Sequence, residues 1–126
     1  MTETKDFPTA DVLSTITGYL MSEDIGGVYL VCNWMTGESV FTHQLPRIGR
    51  EAQAFMVRLR PDLLEAVTEA ANVNRENWRR WLAIWIERYG PTISVPKFDA
   101  ADHERIDPLS ELAEKVHPSK IIVVNK

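Results

Sequence analysis

The sequence predicts a mainly helical α+β single domain, with a buried tryptophan-rich helix and a small two-stranded sheet near its C-terminal end. Three observations carry this expectation. The stretch WRRWLAIWIERY at 78–89 gathers three of the four tryptophans, and no polar side chain interrupts Trp81 to Ile86. A helix apolar around most of its circumference is a buried one, so this segment is expected to be the central post. Apolar residues recur at helical spacing through most of the first 90 positions. After Gly90-Pro91 the pattern changes to short β-branched runs on either side of a capped helix.

Taken in order, residues 1–7 read as a flexible lead. Thr9 is placed to cap a helix carrying Val12, Leu13, Ile16 and Leu20 on one face, with Gly18 inside it as a site of close packing. The segment VYLVCNWMTG at 28–37 has two readings. Val28, Val31, Cys32 and Met35 fit a helical face stopped by Gly37, whereas the valines and aromatics also fit a strand turning at Thr36-Gly37 into Ser39–Thr42. The Gly37 stop favours the helix. Pro46 suits a first helical turn, with Thr42 or His43 as its cap. Ile48, Ala52, Phe55, Met56 and Leu59 then form an apolar stripe. Pro61 restarts a helix through Leu63, Val67 and Ala70, and Asn72-Val73-Asn74 breaks it before the tryptophan helix. In 91–126, strand candidates at Thr92–Val95 and Ile121–Val124 flank a helix capped by Asp107. Pro108 opens that helix, and Leu109, Leu112, Ala113 and Val116 lie on one face. That order predicts a β-α-β unit with parallel strands.

At 126 residues the chain fits one domain, 1–126, able to bury a core without disulfides or metals. Its single cysteine, Cys32, lies in an apolar run and reads as a small buried filler. The N-terminus has acids and no apolar signal segment, and the longest uncharged run, Ile25 to Gly37, is too short to span a bilayer. A soluble intracellular protein without membrane contact is expected. The net charge of −4 is segregated. Residues 1–45 carry one lysine against six acids, and 46–90 carry eight arginines against six acids. General nucleic-acid binding is disfavoured by the total, although a local basic stripe is available.

No catalytic, cofactor-binding or metal-binding residue is assigned. His43, His103, His117 and Cys32 show no CxxC, HExxH or HxH spacing. There is no GxSxG elbow and no phosphate-cradling glycine loop. Asp102-His103-Glu104 with Asp107 is the one possible acid–base group, and a polar capping loop explains it as well. The Phe41–Arg47 connector offers His43 and Gln44 either as loop anchors or as recognition residues. Arg47, Arg50 and Arg58 lie opposite the apolar stripe, and Arg75, Arg79 and Arg80 cluster at the start of the tryptophan helix. Such arginines are usually a solvated face laced by Glu51 and Glu76, or else a docking patch.

FPTADVLS at 7–14, Thr17-Gly18, NWMTG at 33–37, FTHQLPR at 41–47, Asp102-His103-Glu104 and Ile106-Asp107-Pro108 resemble a family of small proteins encoded by bacteriophages and prophages. The resemblance spans nearly the whole chain. It implies a phage accessory gene acting in the cytoplasm of a bacterial host, and supplies no catalytic residue. The leading expectation is a non-enzymatic protein that binds and inhibits a host or competing-element protein complex, CRISPR and other defence machinery included. The candidate contact residues are Asp6, Asp11, Glu23 and Asp24 from the acidic third, with His43, Gln44, Arg47, Arg50 and Arg58. The alternative is a nucleic-acid-associated protein using the Arg47/Arg50/Arg58 stripe. A small hydrolase centred on His103 is the weaker third reading.

Overall fold

The structure, a computed structural model, describes residues 3–21, 24–106, 109, 111 and 122–123. It has the expected mainly helical α+β architecture, but its central element is α1 (Thr9–Thr17), not the tryptophan helix. Around α1 pack α2 (Gly26–Thr36), α3 (Leu45–Leu59), α4 (Leu63–Glu69), α5 (Trp78–Tyr89) and the strands β1 (Thr4–Pro8) and β3 (Thr92–Pro96). Val12, Leu13 and Ile16 are buried in α1, and so are Thr9, Ser14 and Thr15. The Ser14 and Thr15 hydroxyls survive burial because each donates to the carbonyl one turn back, Ser14 to Ala10 at 2.7 Å and Thr15 to Asp11 at 2.8 Å. Ser14 Oγ also accepts the Met21 N–H at 2.8 Å.

The tryptophan helix corrects the sequence reading. α5 buries only Trp78, Leu82 and Trp85, a single stripe at i, i+4 and i+7. Trp81 is half-buried, while Ala83 and Ile84 face solvent. The uninterrupted apolar run is therefore wider than the face the neighbours cover.

The N-terminal lead is a second correction. Residues 4–7 lie in β1, which pairs antiparallel with β3, placing Phe7 opposite Ile93 with both side chains buried. Thr9 does not cap α1. Its N–H reaches the Pro91 carbonyl at 3.0 Å and its Oγ1 the Gly90 carbonyl at 2.6 Å, fastening the corner between β1 and the end of α5. The expected β-α-β unit does not form. β3 takes β1 as its partner, whereas β4 (Ile122–Val123) runs parallel to β2 (Tyr19–Leu20) in a separate two-stranded sheet. Between them Leu109 and Glu111 are helical. The expected cap Asp107, Pro108, and Leu112, Ala113 and Val116 lie outside the described residues, as do Ile121 and Val124.

Gly18 is also reassigned. It sits at φ +80° and ends α1, with nothing near the position a Cβ would take, so conformation rather than close packing selects glycine. Leu20 then belongs to β2, not to the α1 face. The helical reading of the next segment is the one found: α2 ends at Gly37, whose N–H returns to the Asn33 carbonyl at 2.9 Å. Thr42–Gln44 forms a 3₁₀ turn, and α3 begins without a side-chain cap from Thr42 or His43. Ile48, Ala52, Phe55 and Met56 are buried as the stripe predicts, although Leu59 is exposed.

Two apolar clusters result. The larger joins α1 and β1 to α2, α3, α4, α5 and β3, and the smaller gathers Leu20, Val28, Cys32, Val40, Leu45 and Ile48. Phe98 packs against both. Where α3 crosses α1, a Cβ on Gly49 would lie 3.0 Å from the backbone carbonyl of Thr15. Gly49→Ala is therefore expected to lower the melting temperature despite the better helix propensity of alanine. An unchanged or higher Tm would show that the two helices separate at no cost. Among the described residues no helix is long and apolar enough to cross a membrane.

Candidate functional site

The best-organised polar cluster lies where the chain leaving β3 crosses the end of α2 and the start of α3. α3 projects Arg47 and Glu51 from one face at i, i+4, joined at 3.0 Å. The end of α2 and the residues after it supply Thr36 and Glu38. The connector is anchored by the Phe98 N–H on the Met35 carbonyl at 2.9 Å, and the Phe98 ring lies 5.4 Å from that of Phe55. His103 stacks on Phe98, 5.2 Å away and nearly parallel.

His103 is bracketed. Its Nδ1 lies 2.7 Å from Glu51 Oε1 and its Nε2 2.7 Å from Glu38 Oε2, with the side chain only 4% exposed. A neutral imidazole carries one N–H, so hydrogen bonds to both carboxylates together require a further proton in the trio. The surrounding cations complete the cluster. Arg47 forks onto Glu111 through Nε at 2.8 Å and Nη2 at 3.0 Å, and its Nη1 also reaches the Glu104 carbonyl at 2.7 Å. Gln44 Nε2 adds a bond to Glu111 at 3.1 Å. Arg105 donates to the Thr36 carbonyl at 2.9 Å and pairs with Glu38 at 3.3 Å. Arg58 holds Asp102 at 2.9 Å. Burial alone would lower the Arg47 proton affinity, but the hydrogen bonds and charges of Glu111 and Glu51 outweigh it and hold the guanidinium above its ordinary value.

This geometry clasps the connector to the helices. A cavity of about 170 Å³ lies beside it, lined by Thr36, Phe98, Asp99, Ala100, His103 and Arg105. Both ring nitrogens of His103 are already engaged by carboxylates, so neither is free to act as a base toward that cavity. The two nitrogens also face opposite carboxylates rather than a common point. Among the described residues no group of three histidine, cysteine or carboxylate ligands converges for a metal.

Cys32 is fully buried, and its thiol is pushed up to about 12, first by burial and then by the charge of Glu51. It is the inert filler the sequence suggests. In the folded protein it is expected to resist a thiol reagent at mildly alkaline pH and to react on unfolding. Rapid labelling without denaturant would contradict this.

The sequence-nominated contact residues divide. Gln44 and Arg47 enter the clasp, with Gln44 Oε1 also accepting the Phe41 N–H at 3.0 Å. His43 touches the Phe41 ring edge. Arg50 and Arg58 point outward, so the proposed stripe does not survive as three free guanidiniums. Asp6 is exposed and accepts the Ser94 hydroxyl, Asp24 Oδ1 accepts the Gly26 N–H at 2.7 Å, and Glu23 lies outside the described residues. The half-buried Asp11 carboxyl is raised above its ordinary value, first by burial and then by the charge of Asp24.

That shift has a defined sign. A carboxyl that holds its proton more tightly when folded favours folding below its unfolded pKa, and this contribution is lost as pH rises through the folded value. Asp11→Asn is therefore expected to be at least as stable as the parent at neutral pH, with the advantage vanishing in acid. A deficit that grows from acid to neutral pH would reverse the assignment.

Sequence reasoning missed Arg105 and Glu111 altogether, counted Glu38 only among the acids of the N-terminal third and treated Glu51 as surface lacing. The His103 contacts join positions 52 and 65 residues apart, so no local spacing announces them. No curated protein and no solved structure matches the chain. Residues 7–72 match the family model of a domain of unknown function (DUF7736), a span holding Glu38, Gln44, Arg47 and Glu51 but not the connector they clasp, and the chain belongs to that family.

Proposed function

We propose that this is a small phage-encoded accessory protein that binds and inhibits a protein complex of its bacterial host, a defence system such as CRISPR–Cas being the target class, without catalysis. It acts in the host cytoplasm. The phage setting rests on the sequence motifs at 7–14, 33–37 and 41–47. The observation that carries the non-catalytic reading is the engagement of both His103 nitrogens by Glu38 and Glu51. With Cys32 buried, the residues best suited to chemistry are used to hold the chain together. What is left for function is a surface with segregated charge, which steers association and makes its rate sensitive to salt.

The test is capture of the tagged protein from infected host cells, read by quantitative mass spectrometry and followed by an activity assay of any enriched complex. Enrichment of one complex, with loss of its activity on adding purified protein, is the expected result. Two outcomes would overturn the reading. One is tight duplex DNA binding at physiological salt with no complex enriched. The other is a turnover that His103→Gln abolishes while the variant stays folded.

A further inference from the structure

We infer that the solvent face of α5 is the contact surface for an acidic protein partner, an inference that rests on the binding role proposed above. Five of the nine arginines hold a carboxylate: Arg47, Arg58, Arg60, Arg88 and Arg105. Of the other four, three gather at the start of α5, where Arg75, Arg79 and Arg80 are all exposed. Among the described residues none of these three pairs with an acid, and Arg79 rests over the Trp78 ring at 4.6 Å.

Their placement is ordered. Helical hydrogen bonds run back through the preceding turn, from Trp78 to Asn74 at 3.1 Å and from Trp81 to Asn77 at 2.8 Å. Arg75 and Arg79 therefore lie one turn apart, and Arg80 lies one turn before Ile84, which is 56% exposed beside the exposed Ala83. The face thus combines unpaired guanidiniums with an apolar centre on a rigid helix held by Trp78, Leu82 and Trp85. Arginine forks suit carboxylates, and an arginine–aliphatic helix face is a form that grooves on partner proteins accept. The complementary surface carries aspartates or glutamates around an apolar patch that receives Ile84. Glu76 and Glu87, exposed toward either end of the face, oppose a continuous phosphate backbone, as does the net charge of −4.

Two measurements test this. A labelled synthetic peptide of alternating acidic and leucine residues is titrated with purified protein, beside duplex DNA and polyglutamate. The peptide is expected to bind most tightly. Arg79→Glu with Arg80→Glu, and separately Ile84→Asp, are each expected to weaken it about tenfold or more, as for central contacts of an interface. Lys5→Glu with Lys97→Glu changes charge equally on another surface and is expected to leave affinity unaltered. All variants are exposed substitutions, checked for unchanged melting. Equal affinity of the arginine and parent proteins for the peptide, or tighter binding of DNA than of peptide, would overturn the inference. In capture from host cells, a complex retained equally by parent and arginine variant would also overturn it while leaving the binding role intact. A parent protein that captures nothing refutes the binding role, and the peptide titration then decides the surface alone.

Discussion

Replacing Trp85 by alanine is expected to destabilise the fold by about 3–5 kcal/mol, the range for deletion of a large buried aromatic. Trp85 is 6% exposed and stands at the middle of a ring series on α5, 5.6 Å from Trp81 and stacked 5.5 Å from Tyr89. Arg88 lies over its face at 4.8 Å while pairing with Glu65 on α4. The deletion removes core volume and this stack together. Trp81→Ala is expected to cost clearly less, because Trp81 is only half-buried. Chemical denaturation at constant m reads the difference. Equal losses for the two variants would restore the view of α5 as a helix buried all round.

The second large effect is expected at Arg47. Its side chain is 14% exposed and that of Glu111 is 3% exposed, so the pair is largely withdrawn from water. Arg47→Ala takes the forked guanidinium from the buried Glu111 and a partner from Glu51. Removing one member of a buried pair costs about 3–5 kcal/mol, mostly from the stranded charge. Arg47→Met combined with Glu111→Met removes both charges and is expected to recover much of that loss. If Arg47→Ala melts like the parent, the guanidinium and carboxylate are solvated and the clasp contributes nothing to stability.

How far the sequence reveals this molecule depends on whether a feature is local. The α3 stripe, the Gly37 end of α2 and the Gly90-Pro91 end of α5 follow from residues within a turn or two of each other, and they are found where expected. The central role of α1 is hidden because its buried face includes Thr9, Ser14 and Thr15, polar residues that burial normally excludes. The i−4 hydrogen bonds of Ser14 and Thr15 and the bond from Thr9 to the Gly90 carbonyl make them admissible, but these depend on the fold already being formed. The tryptophan run misleads in the opposite direction, since apolar side chains are free to remain on a surface. β1 carries lysine, aspartate and proline and is recognisable only through Phe7 opposite Ile93, a partner 86 positions away by the register of the sheet. The same holds for the clasp. DHE at 102–104 reads locally as a capping loop, and its meaning comes from Glu38 and Glu51, which the fold alone brings to His103.

One clasp, built by Arg47, Glu38, Glu51 and His103, holds the 98–106 connector to α2 and α3. Amide hydrogen exchange tests it most directly. The Phe98 N–H, bonded to the Met35 carbonyl, and the Glu104 N–H, bonded to Glu51 Oε2 at 3.1 Å, are predicted to be protected in the parent. In Arg47→Ala the Glu104 amide is predicted to lose protection while the α1 amides keep theirs under conditions where the variant remains folded. Exchange of both amides in the parent at the rate of an unstructured peptide would contradict the claim and return His103 to consideration as an accessible reactive group.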